Sequence, residues 1–327
     1  MVSKPKTAEF EDAKLCASSK TSRLATPPMA TVGITKMTGP KLHHYVPQFH
    51  LRRFVNDSGR LWVWDREDDR VFTARPNSMA AETNFYFLDE LAEQGHDPLT
   101  MEKQLSNLEG EVAQITGQWL GWLRQLRLGE KIVIPDVNRE LVSLYIALQS
   151  LRTAEARDIL AAYGEQTEKQ PLSVEQKRYL HTYMLWKSDG AVQYLTDRIR
   201  KATWLFGRNP TGTPFITSDN PVAFRTGDNA MWLKAGLGAL GTYSVFPMAP
   251  DTVMYGHPDE PPWNKIIRFD RSLSPVPFTD EMVESENTGQ VFMASRFVIS
   301  CRNNFDRERE FAKTIGTDIY ARDRSTG

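Results

Sequence analysis

Cysteine is almost missing from this chain: Cys16 and Cys301 are the only two, too few for a disulfide framework. The pair reads as a reducing, cytoplasmic setting. Long hydrophobic runs are missing as well. No stretch approaches about 18 consecutive apolar residues, so no spanning helix and no membrane partner are expected. An excess of charge of one sign is also absent, since 40 basic residues stand against 41 acidic ones for a net charge of −1. Such a balance gives no global footprint for nucleic acid, and tight non-specific duplex binding is not expected. Residues 1–40 lack an apolar signal-peptide core, sustained periodicity and all but a few aromatics. They read as a flexible leader that contributes no core. Met29 and Met37 lie within it, which leaves Met1, Met29 and Met37 open as the start.

What is present is an ordinary globular composition, 40% apolar and 25% charged over 327 residues, enough chain to bury a sizeable core without staples. Apolar patterning begins near Leu42, and residues 41–327 read as a single α+β domain. Pro47 suits the start of a short helix that carries Gln48 and Arg52 together at i, i+4. Leu61–Trp64 and Arg70–Thr73 read as a β-hairpin. A helical block over about 98–201 follows, read as three long helices. The first, about 98–127, has a seam of Leu105, Leu108, Val112, Ile115, Trp119 and Trp122. The second starts near Asp136, after Pro135. The third starts at Ser173, whose spacing to Gln176 makes a capping box, and runs to about Lys201 with Gly190 as a weak point. From about 202 to 302 the pattern turns β-rich, with short apolar runs at 203–206, 214–217, 243–246, 252–256, 265–269 and 296–300. Short helices are expected at about 279–293 and 305–315.

Few groups have the makings of chemistry. His43, His44 and His50 fall within eight residues, but their spacing matches no zinc pattern, and there is neither an HExxH nor a cysteine pair. No metal site is read from them. Glu102 and Glu109 flank the seam of the first helix at the same heptad position. Their seven-residue separation rises about 10 Å, too far to share one water, so they read as solvated flanking charges. Gln149 and Arg152 project together from the second helix, either as an anion clamp or as an interhelical ion pair. The string Pro214-Phe215-Ile216-Thr217-Ser218-Asp219-Asn220-Pro221-Val222 runs an apolar strand into polar residues stopped by proline. Asp219 there is a candidate general base and Ser218 a donor; the competing account is a turn whose side chains bond their own backbone. The glycines at 227, 236, 238 and 241 have no phosphate-loop spacing.

Taken together, His44-Tyr45-Val46-Pro47-Gln48-Phe49 with Leu51-Arg52 and Phe54, then Glu109, Arg152-Thr153, Thr217-Ser218-Asp219-Asn220-Pro221-Val222, Pro247-x-x-Pro250 and Asn287 resemble the successive signatures of domain of unknown function family 4238. The resemblance spans roughly residues 40–302. It implies that these positions form one unit, in a family whose activity is unestablished. His44, Gln48, Arg52, Glu109, Arg152, Ser218, Asp219 and Asn220 stand at its motif positions. Pro247-Met248-Ala249-Pro250 departs from the expected Pro-Leu-Ser-Pro.

If these elements converge, two guanidiniums, a histidine, an aspartate and small donors form a pocket suited to an anionic small molecule. Two functions fit it. One is a hydrolase of a phosphorylated or nucleotide-like substrate, with His44 and Asp219 catalytic and Gln48, Arg52, Glu109, Gln149, Arg152, Ser218 and Asn220 binding. The other is a non-catalytic ligand-binding or sensor module. No cofactor is specified by the pattern. A third account is a buried ion-pair network that serves the fold alone.

Overall fold

The computed structural model describes residues 42–87, 97, 99–186, 190–234, 239–265, 269 and 271–315. All fall in the compact unit Gly39–Gly327. The expected leader lies outside the described residues.

The chain enters through β1 (Leu42–His44), Pro47 and the four-residue helix α1 (Gln48–Leu51), which tightens into a 3₁₀ turn over Arg52–Phe54. Proline stands just before the first helical residue with extended backbone, where its missing N–H costs nothing. The expected hairpin forms as β2 (Leu61–Asp65) and β3 (Arg70–Ala74), and β4 (Ala81–Thr83) returns to pair with β1. Helix α2 (Thr100–Gln125) follows, with Leu105, Val112 and Trp119 of its seam buried.

After β5 (Ile132–Val133), the helical block differs from three long helices: the described residues hold four further helices beyond α2. α3 (Asp136–Leu151) stops at Arg152, and Thr153 opens α4 (Ala154–Glu168) by accepting the Ala156 N–H at 3.2 Å. Residues 154–168 had no expected element because this helix buries little more than Ala154, Glu155 and Ala161, which is no stripe to read. The third expected helix is split into α5 (Val174–Trp186) and α6 (Ala191–Lys201), with Gly190 extended immediately before the second piece. Its capping box is made in both directions: Ser173 N–H to Gln176 at 2.8 Å, and Gln176 N–H to Ser173 at 3.2 Å.

The remaining strands are β6 (Thr203–Arg208), β7 (Thr217–Ser218), β8 (Ala223–Arg225), β9 (Trp232–Leu233), β10 (Tyr243–Ala249), β11 (Thr252–His257), β12 (Ser272–Leu273) and β13 (Pro275–Pro277). Helix α7 (Asp280–Met293), β14 (Phe297–Ser300) and α8 (Asp306–Ile315) close the described chain. The expected strand at 265–269 is not found: Trp263–Lys265 is a 3₁₀ turn, and residues 266–268 lie outside the described residues.

A six-stranded sheet in the order β13-β6-β11-β10-β8-β9 is antiparallel except for β13 beside β6. Alternate side chains serve its two faces. Trp204, Phe206, Phe246 and Met254 pack with Val112, Trp119, Tyr145 and Ile199 of the helices. Tyr243, Val245, Val253 and Tyr255 pack with Phe215, Val283 and Met293 on the α7 side. The N-terminal hairpin is not a separate feature. Strand β2, with Leu61 and Val63 fully buried, is completed by β14 and then β7 in a four-stranded sheet ordered β3-β2-β14-β7. One sheet therefore joins residues 61–74 to residues 217–300, and the β1–α1 segment is carried against α2 and α3.

Candidate functional site

The centre of the site is Arg152, whose side chain is 1% exposed although it sits where α3 gives way to α4. Its guanidinium pairs with Glu109 of α2 at 2.7 Å, and its Nε donates to Gln149 at 3.1 Å. Gln149 in turn donates to the Tyr45 carbonyl oxygen at 3.0 Å, which ties α3 to the HYVPQ segment. The Tyr86 hydroxyl donates to the Arg152 carbonyl oxygen at 3.2 Å. A guanidinium this buried holds its charge only because a carboxylate and an amide are aimed at it.

His44 and Glu102 face the same charges. His44 is half-buried, and its Nε2 lies 3.3 Å from the Asn77 carbonyl oxygen, so that nitrogen bears the proton. Burial lowers the pKa of His44, opposed by that bond and by Glu109, while Arg152 and Arg52 add to the lowering. The imidazole is thus neutral. Glu102 was expected to be a solvated flank and is instead half-buried. Burial first, and then repulsion from Glu109, push its carboxyl up to about 7, with Arg152 acting in the other direction. Glu102 and Glu109 do not share an ion at seven residues' spacing, yet both feel Arg152.

Beside this cluster lies a cleft of about 380 Å³ lined by Gln48, Arg52, Arg60, Arg75, Pro76 and Asn77. Arg52 donates to Gln48 at 2.8 Å, the i, i+4 contact expected of the short helix, and Arg60 donates to Thr73. Among the described residues, no carboxylate pairs with Arg52, Arg60 or Arg75. Asn77 connects the parts, because its carbonyl receives His44 while the residue lines the cleft. A second groove of about 590 Å³ shares Arg60, Arg75 and Asn77 and adds Phe72, Met79 and Phe297.

The Ser-Asp-Asn string spends its side chains on its own turn, on α7 and on the start of β14. Asp219 is 2% exposed, and its carboxylate accepts three backbone N–H groups, from Ser295 at 2.9 Å, Arg296 at 2.8 Å and Phe297 at 3.0 Å. A carboxylate so enclosed orders the α7–β14 corner. Ser218 accepts the Asn220 N–H at 3.2 Å and donates to the Asn220 carbonyl oxygen at 2.9 Å, the self-bonded turn of the competing account. The segment is clamped by α7: Asn287 bonds Ile216 N–H and the Pro214 carbonyl oxygen, and Gln290 bonds Ser218 and the Pro221 carbonyl oxygen. Asn220 lies in this buried segment at 3% exposure. His43 and His50 are structural. His43 accepts the Tyr86 N–H at 3.1 Å, and His50 contacts Thr217 Oγ1 at 2.9 Å.

Of the expected site residues, then, His44, Gln48, Arg52, Glu109, Gln149 and Arg152 are linked to one another, while the hydrogen bonds of Ser218 and Asp219 run to their own turn, to α7 and to residues 295–297. Glu102, Arg60, Arg75 and Asn77 were missed. Glu102 had a signal in its shared heptad position with Glu109; the other three come from turns and strands whose approach to α1 no local pattern records. Among the described residues, no group of three His, Cys, Asp or Glu side chains is arranged to hold a metal ion.

Fold and site together define a mixed α+β protein with a buried Arg–Glu centre beside a basic cleft. The chain belongs to the family described as "Protein of unknown function (DUF4238)", whose model matches residues 42–304. No curated protein and no solved structure matches the chain.

Proposed function

We propose that the protein hydrolyses a phosphorylated, nucleotide-like small substrate, acting in the cytoplasm, with its phosphate held in the Arg52–Arg60–Arg75 cleft. The observation that carries this reading is the three guanidiniums lining one cleft with no paired carboxylate among the described residues. Uncompensated arginines are the side chains that grip phosphate oxygens in pairs and spread developing negative charge. The adjoining groove, with half-buried Phe72 and Phe297, suits the flat part of such a substrate.

In this reading Glu102 is the general base. A carboxyl held near 7 exchanges its proton at working pH, which ordinary carboxylates do not. It takes a proton from water as the water oxygen bonds to phosphorus; the bond from phosphorus to the leaving oxygen breaks, and the proton returns to that oxygen. His44 keeps its N–H on Asn77 and presents its other ring nitrogen as an acceptor that orients water or a substrate hydroxyl. Arg152 is a positioning residue, because Glu109 already takes its charge. Asp219 takes no part.

Phosphate release from nucleoside mono-, di- and triphosphates, and p-nitrophenol release from bis(p-nitrophenyl) phosphate, test the reading. Glu102→Gln should lower turnover by about 100-fold or more while the protein stays folded. Arg52→Ala should weaken substrate binding by about tenfold. The rate should rise with pH through about 7 and lose that rise in Glu102→Gln. Saturable binding without turnover would instead make the chain a ligand-binding module, and neither binding nor turnover would end both readings.

A further inference from the structure

A cavity of about 550 Å³ lies between helices α7 and α8, the Gly212–Ile216 segment and the residues that follow β14. Pro214, Ile216, Val291 and Phe311 supply apolar lining, and the cavity shares no lining residue with the basic cleft. Five charged side chains also line it, and they are unequally provided for. Arg307 pairs with Glu284. Glu281 stands exposed in the first turn of α7, where water serves it. The Arg302 guanidinium donates to the Gly212 carbonyl oxygen, and no carboxylate pairs with it among the described residues. Glu308 is half-buried and takes hydrogen bonds from Asn287 and from its own backbone N–H, but it pairs with no cation among the described residues.

Arg302 and Glu308 are thus opposite charges on one cavity that do not pair with each other. A carboxylate partly withdrawn from water without a cation keeps much of its desolvation cost. Burial accordingly raises the Glu308 carboxyl, and neither Arg307 nor Asn287 cancels the effect. Arg302 has donors to spare, because a guanidinium carries five N–H groups and one carbonyl oxygen takes few of them. A lone anion here would satisfy Arg302 and meet Glu281 and Glu308 as like charges. A lone amine would satisfy Glu308 and leave Arg302 unanswered. A molecule that carries both charges on an apolar body answers every part of the lining.

We propose that this cavity is a second ligand site, independent of the phosphate cleft, for a small apolar zwitterion whose ammonium meets Glu308 and whose carboxylate meets Arg302. This is the chemistry of an aliphatic amino acid or of a short apolar peptide. The volume is that of an ordinary small-molecule pocket, and apolar walls with a few convergent polar groups are its usual composition.

The test uses the full chain, with L-leucine and L-leucyl-L-leucine as probes; the tighter of the two tells a free amino acid from a peptide. Isothermal titration should show saturable binding. The N-acetyl form of that probe, which lacks the ammonium, and its amide, which lacks the carboxylate, should each bind about tenfold more weakly, the loss expected of one charge-assisted hydrogen bond. Arg302→Met should bring the probe and its amide within about threefold of each other while the N-acetyl form stays weaker. Glu308→Gln, which still accepts from Asn287, should do the converse. Should Glu308→Gln fail to fold, Arg302→Met, at an exposed position, carries the test alone. Failure of both probes to saturate the wild-type protein, capped forms that bind as tightly as the parent, or an Arg302→Met protein that still discriminates against the amide would each overturn the proposal.

Discussion

Arg152 shows how a single residue can join fold and site. At 1% exposure it is paired with Glu109 and braced by Gln149, so removing it strands a carboxylate that is itself only 23% exposed. Breaking one partner of such a pair costs more than removing both, because the survivor keeps its desolvation penalty. Arg152→Met should therefore lower stability by about 3–5 kcal/mol, and Arg152→Met with Glu109→Met should recover at least half of that, read by urea unfolding. Recovery of less than half would mean that Glu109 is not the group Arg152 chiefly serves. The i, i+3 pairing of Gln149 with Arg152 was legible from spacing alone, and it is observed at 3.1 Å. The partner was not: Glu109 lies 43 residues earlier on another helix, and no local rule says which of Glu102 and Glu109 will receive the guanidinium.

At the scale of elements, α7 does more than its weak apolar pattern suggests. Asn287 and Gln290, one helical turn apart, clamp the Pro214–Pro221 segment, while Gly289 meets β9 from the same helix. A Cβ at Gly289 would come within 2.6 Å of the Trp232 ring. That ring cannot swing aside cheaply, because its indole N–H donates to Thr288 at 2.9 Å and Arg225 stacks 4.6 Å from its centre. Gly289→Ala should cost about 1–3 kcal/mol by overpacking, the reverse of the gain expected when glycine is replaced in an open helix. Thermal unfolding checks the sign, and a stabilised variant would show that the ring has room. Helix starts were the most readable features, since Pro47, Pro135 and the Ser173–Gln176 box announce themselves chemically. Helix ends were not. The helix end at Arg152–Thr153 had no local signal, whereas Gly190, already a weak point by its low propensity, stands just before α6.

For the whole molecule, buried titratable groups set the response to acid. Burial holds His50 and His257 down to about 3 and His181 to about 4. Folded values below the free imidazole's mean that the unfolded chain binds protons the native state refuses, so this contribution is present above about pH 6.5 and is lost as pH falls. Burial raises Glu102 and Glu286 to about 7, so the native state keeps protons the unfolded chain has released; that contribution is present below about pH 4.5 and is lost as pH rises through 7. The two sets oppose each other between about pH 4.5 and 6.5. Three histidines against two carboxyls leave one group uncompensated, so stability should fall gently as pH drops across that window and steeply below about 4.5, where the carboxyls no longer offset the histidines. Urea midpoints from pH 3 to 8 check this, and a decline as steep above pH 4.5 as below it would contradict the offset.

The amino-acid sequence by itself determined the α+β class, the family signatures, the amphipathic seams and several helix starts, because each is written in short-range spacing, capping chemistry or side-chain composition. It also excluded a long apolar helix, and among the described residues no helix is long and apolar enough to cross a membrane. Only the tertiary structure decided that β14 completes the N-terminal hairpin's sheet, and that Arg152 takes Glu109. It also decided that Arg60 and Arg75 join Arg52 in one cleft while Asp219 is enclosed by backbone N–H groups. The reason is physical: strand partners and buried ion pairs are chosen by which surfaces must leave water together, and residues far apart in the chain meet only once every element has found a place to bury its apolar face.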